Sequence, residues 1–370
     1  MKILSSKAEI TFDDVLLLPN KSDFPIDEEG KEINLSTKVS KNIELDIPIL
    51  SSPMPGVTEE EMAITLGKAG GMGFIHCSQN FNKQLEQVSK VKRAKVKVAA
   101  SVGDLSTAGF KHIEKLIKVG ADLISVESYH AHNNQVINFI KKLKKTYRKI
   151  EISVSLVVTP DATKDLIKAG ADSIRVGIGG GSHCTTRLVT GIGRPQLSAI
   201  KSCSKITRKY KIPLISDTGI KYVGDVAKAL IFGADCVMIG GMFAGTDEAP
   251  GEIVRKRGKK YKYSWGMCTD TALKQKSPNT ARLNTIKQAL NYSLRSLLRK
   301  SSGHEMKFFE EGVEGLIVYK GSVEPVLTEL ISGIKRSLWY QGARNIKELR
   351  RKARVVLVSQ QTITENVPRI

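Results

Sequence analysis

The sequence predicts one (β/α)8 barrel, a TIM-type α/β fold, with residues 1–370 in a single domain. Three observations carry this expectation. Eight short apolar or β-branched runs recur between residues 48 and 241, and amphipathic stretches of helical period separate them. Three of those stretches end in Gly-Ala-Asp directly before an apolar run, at 120–122, 170–172 and 233–235, which is the signature of a repeating β/α unit.

The runs are PILSS (48–52), GMGFI (71–75), VKVAASV (96–102), DLISVE (122–127), IEISVSLVV (150–158), SIRVGI (173–178), PLISDTG (213–219) and DCVMIGG (235–241). A doubly wound open sheet shares the alternation, but eight units in order favour closure into a barrel. A barrel carries its active site where strands end and βα loops begin. Residues 251–315 break the rhythm. A basic segment, GEIVRKRGKKYKYSWGM, leads into a polar and helical stretch without a clear strand, read here as a flap inserted in the barrel. NTIKQALNYSLRSLLRKSSGHE (284–305) reads as an added flap helix, and the tail returns to pattern with a helix and the run ARVVLVS.

Composition narrows the function classes. With 41% hydrophobic and 26% charged residues, and no long apolar run, a membrane span is not expected. The first residues show no secretory pattern, so the expected location is cytoplasmic. Five scattered cysteines without a CxxC pair suit neither a disulfide framework nor a zinc site. The net charge of +21 would suit a polyanion, but the basic residues are dispersed at helix-face spacing and read as a solvated surface. Nucleic acid is therefore not the expected partner.

The chemistry lies in VGIGGGSHCTTRLVTGIGRPQ (176–196), directly after the sixth run. Gly177, Gly179, Gly180 and Gly181 remove Cβ atoms, so that amides can approach an anion or carbonyls a cation. Ser182 adds a hydroxyl, and Cys184 sits beside Thr185, Thr186 and Arg187 in surroundings suited to a nucleophilic thiolate. Asp217, ending the seventh run, suits the two hydroxyls of a ribose, although a helix-capping role fits too. Gly240 and Gly241, ending the eighth, stand where barrels commonly hold a phosphate.

This loop resembles the catalytic loop of the IMP dehydrogenase / GMP reductase family, and the likeness runs nearly the length of the chain. ITFDDVLLLP (10–19), SSPM (51–54), GGMFAGTDEAPGE (240–252), EGVEG (311–315) and the C-terminal WYQGARNIKELRRKARVVLVSQQTITEN are similar to family segments in the same order. The resemblance implies a cysteine adduct at C2 of a purine nucleoside monophosphate, with hydride exchanged with NAD, or with NADP in a reductase. Cys184 would be the nucleophile and Thr186 its polar neighbour. Ser182, Gly219, Gly240 and Gly241 would bind phosphate, and Asp217 the ribose. Ser52, Met54, Gly266 and Met267 would flank the base, Arg175 would lie beneath the loop, and Glu311 would join the substrate contacts. Glu127 would face the cofactor. A potassium ion would sit against carbonyls of Gly179, Gly181 and Cys184, with Glu365 from a neighbouring subunit of a homotetramer.

TDEAPGE, EGVEG and the ITEN tail look more like the dehydrogenase branch, so oxidation of IMP to XMP is the expected reaction. Reduction of GMP is the alternative, and a nucleotide-binding or nucleic-acid-binding regulator without turnover a third. The regulatory CBS-type insert of many dehydrogenases is missing between QVSKVKR and VKVAASV. The chain departs from the family pattern at Glu127 (usually Asp), Leu156 (usually Asn), Pro55-Gly56, Ser264-Trp265 and His183. In the flap, Arg282 is the counterpart of the water-activating arginine, and Leu283 stands in place of the tyrosine that follows it. His183 and His304 are candidate bases, though a lone histidine is more often structural.

Overall fold

In the computed structural model, which describes residues 8–25, 32–266, 313–359 and 361–365, the chain enters through β1 (Val15–Leu18). This strand pairs antiparallel with Arg354–Leu357, so the two ends of the chain clasp each other outside the barrel. A short hairpin, β2 (Thr37–Lys38) and β3 (Glu44–Leu45), follows.

The eight anticipated runs each supply one barrel strand: β4 (Ile49–Ser51), β5 (Met72–Ile75), β6 (Val98–Val102), β7 (Leu123–Val126), β8 (Glu151–Val157), β9 (Ser173–Val176), β10 (Leu214–Asp217) and β11 (Cys236–Ile239). All pair in parallel, and β11 closes on β4 through Val237 opposite Ile49 and Met238 opposite Leu50. The barrel, not the doubly wound sheet, is the fold. Helices follow the strands, and the one at Pro160–Ala169 ends in left-handed Gly170 (φ 114°), as the Gly-Ala-Asp junction predicts. Helix Phe81–Arg93 reaches β6 through residues 94–97 alone.

Strand alternation builds two cores. Ile49, Ile75, Ala100, Ile124, Ile152 and Ile174 face outward to the helices. Leu50, Met72, Phe74, Ala99, Leu123, Ile215 and Met238 fill the barrel, with Val39 and Leu45 of the hairpin region packed among them. Above this apolar plug the same inward positions turn polar: Ser101, Ser125, Ser155, Arg175 and Asp217. That polar layer forms the floor of the site.

The flap region departs from expectation. It holds β12 (Ile253–Lys256), β13 (Lys259–Trp265) and β14 (Glu314–Val318), which form a three-stranded antiparallel sheet. Residues 252–260 are exposed throughout, Ile253 and Val254 included, and β13 buries Lys262 and Ser264, so the strands lack the buried apolar alternation that marks a half-buried strand. Buried Lys262 pins β13 to the barrel, its Nζ donating to the carbonyls of Thr246 at 2.8 Å, Asp247 at 3.2 Å and Ala249. The expected flap helix, with Cys268, Arg282, Leu283 and His304, lies outside the described residues. Among the described residues no helix is long and apolar enough to cross a membrane.

Candidate active site

A cavity of about 310 Å³ opens at the C-terminal ends of the strands. Its lining joins loops far apart in sequence: Ser52 and Met54 after β4, Glu127 and Tyr129 after β7, the loop 178–186 after β9, Asp217 at the end of β10, and Gly266 after β13. A second cavity of about 420 Å³ adjoins it across Ser182 and His183, bounded by Gly241, Met242, Lys221, Lys320 and residues 313–317.

The floor is an ionic network. Arg175 donates from Nε at 2.9 Å and Nη2 at 2.7 Å to Oδ2 of Asp217, and from Nη1 to Ser125 Oγ at 2.9 Å and to Glu127 Oε1. Ser101 and Ser125 also donate to Glu127 Oε1, at 3.0 and 2.7 Å, and Ser155 donates to its Oε2 at 2.9 Å. Burial opposes the charge of Arg175, but the fields of Glu127 and Asp217 outweigh it and hold its pKa above the ordinary value. Burial pushes the Asp217 carboxyl above the usual carboxylate range, against the pull of Arg175.

Over this floor the loop presents Cys184 half-buried, its Sγ 3.1 Å from Thr186 Oγ1. The Cys184 amide donates to Gly181 O at 3.1 Å, a tight turn that lifts the thiol into the cavity. Ser182 reaches across to the end of β11: a Cβ on Gly241 would lie 3.1 Å from its Oγ. A side chain at Gly241 would press on that hydroxyl. Likewise a Cβ on Gly240 would meet Met54 Sδ at 3.4 Å, and one on Gly56 would meet Trp265 N at 3.2 Å and Ser264 Oγ at 3.3 Å. The Pro55-Gly56 turn thus lets β13 close on the loop after β4.

Comparison with known proteins agrees with this geometry. The pattern of the IMP dehydrogenase / GMP reductase domain matches residues 9–369. The chain belongs to the IMP dehydrogenase / GMP reductase family. It is 35% identical to the inosine-5'-monophosphate dehydrogenase of Cryptosporidium parvum, over 96% of this chain and 94% of that one. Identity to the enzyme of the same name from Borreliella burgdorferi is 33%, over 98% and 97%. For that of Methanocaldococcus jannaschii it is 31%, over 99% and 96%.

Of the residues that the family resemblance singles out, Ser52, Met54, Glu127, Arg175, Gly179, Gly181, Ser182, Cys184, Thr186, Asp217 and Gly266 line the one cavity. Gly241 borders the second, Gly240 stands behind Ser52 and Met54, and a Cβ on Gly219 would meet the Phe12 ring at 3.1 Å. Glu365 is exposed on a terminal helix, Gln361–Glu365, and lines neither cavity. Met267, Arg282 and Glu311 lie outside the described residues. Both oxygens of Glu127 are engaged by Arg175 and three serines at the floor of that cavity. The sequence reading missed Cys77, Gly103, Leu105 and Tyr129 in the lining, and missed the serine network. Polar residues at period two inside apolar strands, as in Ser125-Val126-Glu127, were the available signal.

His183, a candidate base, is buried between two serines. Its Nδ1 is 3.2 Å from Ser182 Oγ and its Nε2 3.2 Å from Ser264 Oγ. Burial lowers its pKa, so the ring is neutral near pH 7.

Proposed function

We propose that the chain oxidises inosine 5'-monophosphate to xanthosine 5'-monophosphate through a covalent bond between Cys184 and C2 of the purine. The observation that carries this reading is the shared cavity. A nucleophilic thiol, a ribose-competent carboxylate at Asp217, and walls for a base at Ser52, Met54 and Gly266 face one volume of about 310 Å³. The first three relatives above carry the name of that activity over nearly their whole length.

Each residue then has a task. Ser182 and the glycine cradle at Gly240 and Gly241 donate to the phosphate, while Gly219 shapes the neighbouring turn. Asp217, its Oδ2 held by Arg175, turns Oδ1 to the ribose hydroxyls. Cys184 adds its sulfur to C2, with the Thr186 hydroxyl against the thiolate as it forms the C–S bond. The hydrogen on C2 leaves as hydride, water then adds at C2, and the C–S bond breaks to release product and thiol. Overall, IMP, NAD⁺ and water give XMP, NADH and a proton. NAD, when bound, supplies the hydride acceptor, and Leu105, Tyr129 and Leu156, which line the same cavity as Cys184, would hold it.

The catalytic loop also fits potassium. Carbonyl oxygens are donors suited to a hard cation. The carbonyls of Gly179, Gly181 and Cys184 would hold the ion, joined by Glu365 of another copy in a cytoplasmic homotetramer.

Nicotinamide absorbance tests the proposal with potassium present. A rise with IMP and NAD⁺ supports it. A fall with GMP and NADPH, and no rise with IMP, would replace it with reduction of GMP.

A further inference from the structure

The geometry points to His183 as a positioning residue for the substrate phosphate, turning the Ser182 hydroxyl toward it through a relay anchored on Ser264. The inference rests on the phosphate-binding role proposed for Ser182.

The relay has three members from two places in the fold. Ser182 and His183 belong to the loop after β9, and Ser264 to β13. His183 is tied further to the flap sheet, its carbonyl accepting from Val313 N at 2.9 Å. A neutral imidazole has one N–H and one lone pair, so a ring held between two hydroxyls admits only two directions. In the first, Ser264 O–H donates to Nε2 and Nδ1–H donates to Ser182 Oγ. The Ser182 proton is then free to point at an anion beside Gly241. In the second, Ser182 spends its proton on Nδ1 and presents only lone pairs to the cradle, which repels a phosphate. A bound phosphate therefore selects the first direction. Ser264 stabilises that direction by supplying the proton that Nε2 requires.

The surroundings support the arrangement. The ring is buried, and each of its nitrogens faces a serine hydroxyl, Nδ1 that of Ser182 and Nε2 that of Ser264, so it acts on an anion through Ser182. It lines both cavities, sharing one with Gly241 and Lys320 and the other with Cys184. Gly56, by admitting Ser264 to within 3.3 Å of where a Cβ would stand, keeps the far end of the relay in place.

The test compares IMP with inosine, which lacks the phosphate, by calorimetric titration of the wild-type protein and its variants. His183→Leu, which keeps bulk but neither nitrogen, is expected to weaken IMP about tenfold and to leave inosine within about twofold. His183→Asn, with an amide in reach of Ser182, should recover most of that loss. Ser264→Ala should weaken IMP about threefold and add nothing on top of His183→Leu, because both act through one relay. In histidine-labelled wild-type protein, nitrogen resonances should show Nδ1 protonated and Nε2 bare with IMP bound, a readout that does not depend on the variants folding. An Nε2–H tautomer in that complex, or equal losses for IMP and inosine in His183→Leu, overturns the inference while leaving the substrate assignment standing. Wild-type protein that binds neither ligand overturns both.

Discussion

Arg175 places two hydrogen bonds, at 2.9 and 2.7 Å, on the single oxygen Oδ2 of Asp217, and Oδ1 of the same carboxylate has no partner among the described residues. One oxygen fixes the side chain and the other is left for a ligand. Asp217→Asn is expected to lower kcat/KM for IMP by about 10- to 100-fold, mainly through KM, because a charge-assisted bond to the ribose is lost. With 2'-deoxy-IMP the loss should shrink, since one of the hydroxyls Asp217 serves is already missing. Equal losses with both substrates would exclude ribose recognition by this residue.

Removing the cation should damage the fold itself. Arg175→Met leaves Glu127 and Asp217 facing each other inside the barrel without a counter-charge. Breaking a buried pair on one side costs about 3–5 kcal/mol, to be read from urea unfolding. Unchanged stability would mean that the carboxylates take up protons instead.

Cys184 is half-buried, whereas Cys77, Cys203 and Cys236 are buried. Brief iodoacetamide treatment should therefore modify Cys184 ahead of those three, and IMP should slow the modification. Cys184→Ala is expected to lower kcat by at least about 10⁴-fold while still binding IMP. A variant that still turned over would end the covalent mechanism.

Lys262 donates to three carbonyls that follow the β11 loop and is the buried link between that loop and the flap sheet. Lys262→Met leaves those carbonyls without their donor, at a cost of about 2 kcal/mol. The exposed stretch Arg255–Lys260, rich in trypsin sites, should then be cut faster. IMP affinity should fall with it, because the loop carries Gly240 and Gly241. Trypsin digestion followed by mass spectrometry checks the order of cleavage.

His112 is buried beside Gln84, with Nε2 2.6 Å from Gln84 Oε1 and its ring stacked on Phe81 at 4.0 Å. Burial, with Lys115 adding to it, lowers its pKa to about 4. The unfolded chain has a histidine pKa of about 6.5, so between pH 6.5 and 4 it binds more protons than the native state does. The stability contributed by a neutral His112 is complete above pH 6.5 and is lost as pH falls toward 4. A shift of that size amounts to about 3 kcal/mol at most, and solvent screening brings the expected loss to about 2 kcal/mol. His112→Leu should flatten that part of the pH–stability curve in urea titrations, and an unchanged slope would assign it to other groups.

The barrel was legible because each of its strands is buried on both sides and must be apolar, and each junction needs a residue such as Gly170 to turn. The loop around Cys184 was legible for a local reason too: its run of glycines stands where Asp217, Arg187 and Thr218 approach too closely for side chains. Strands β12 and β13 were not: β12 is exposed along its length, and β13 buries Lys262 and Ser264 where a half-buried strand usually carries apolar residues.

By itself, then, the sequence determined the eight-unit barrel and placed the glycine loop with Cys184 and the carboxylate of Asp217 at its strand ends, since these depend on burial, chain stiffness and residue chemistry within a few positions. Tertiary structure alone decided that Glu127 is engaged inside the barrel by Arg175, Ser101, Ser125 and Ser155. It also decided that His183 spans Ser182 and Ser264. The physical reason is directional. A hydrogen bond depends on where two atoms stand in space, and residues 81 positions apart in the chain meet only once the barrel has closed.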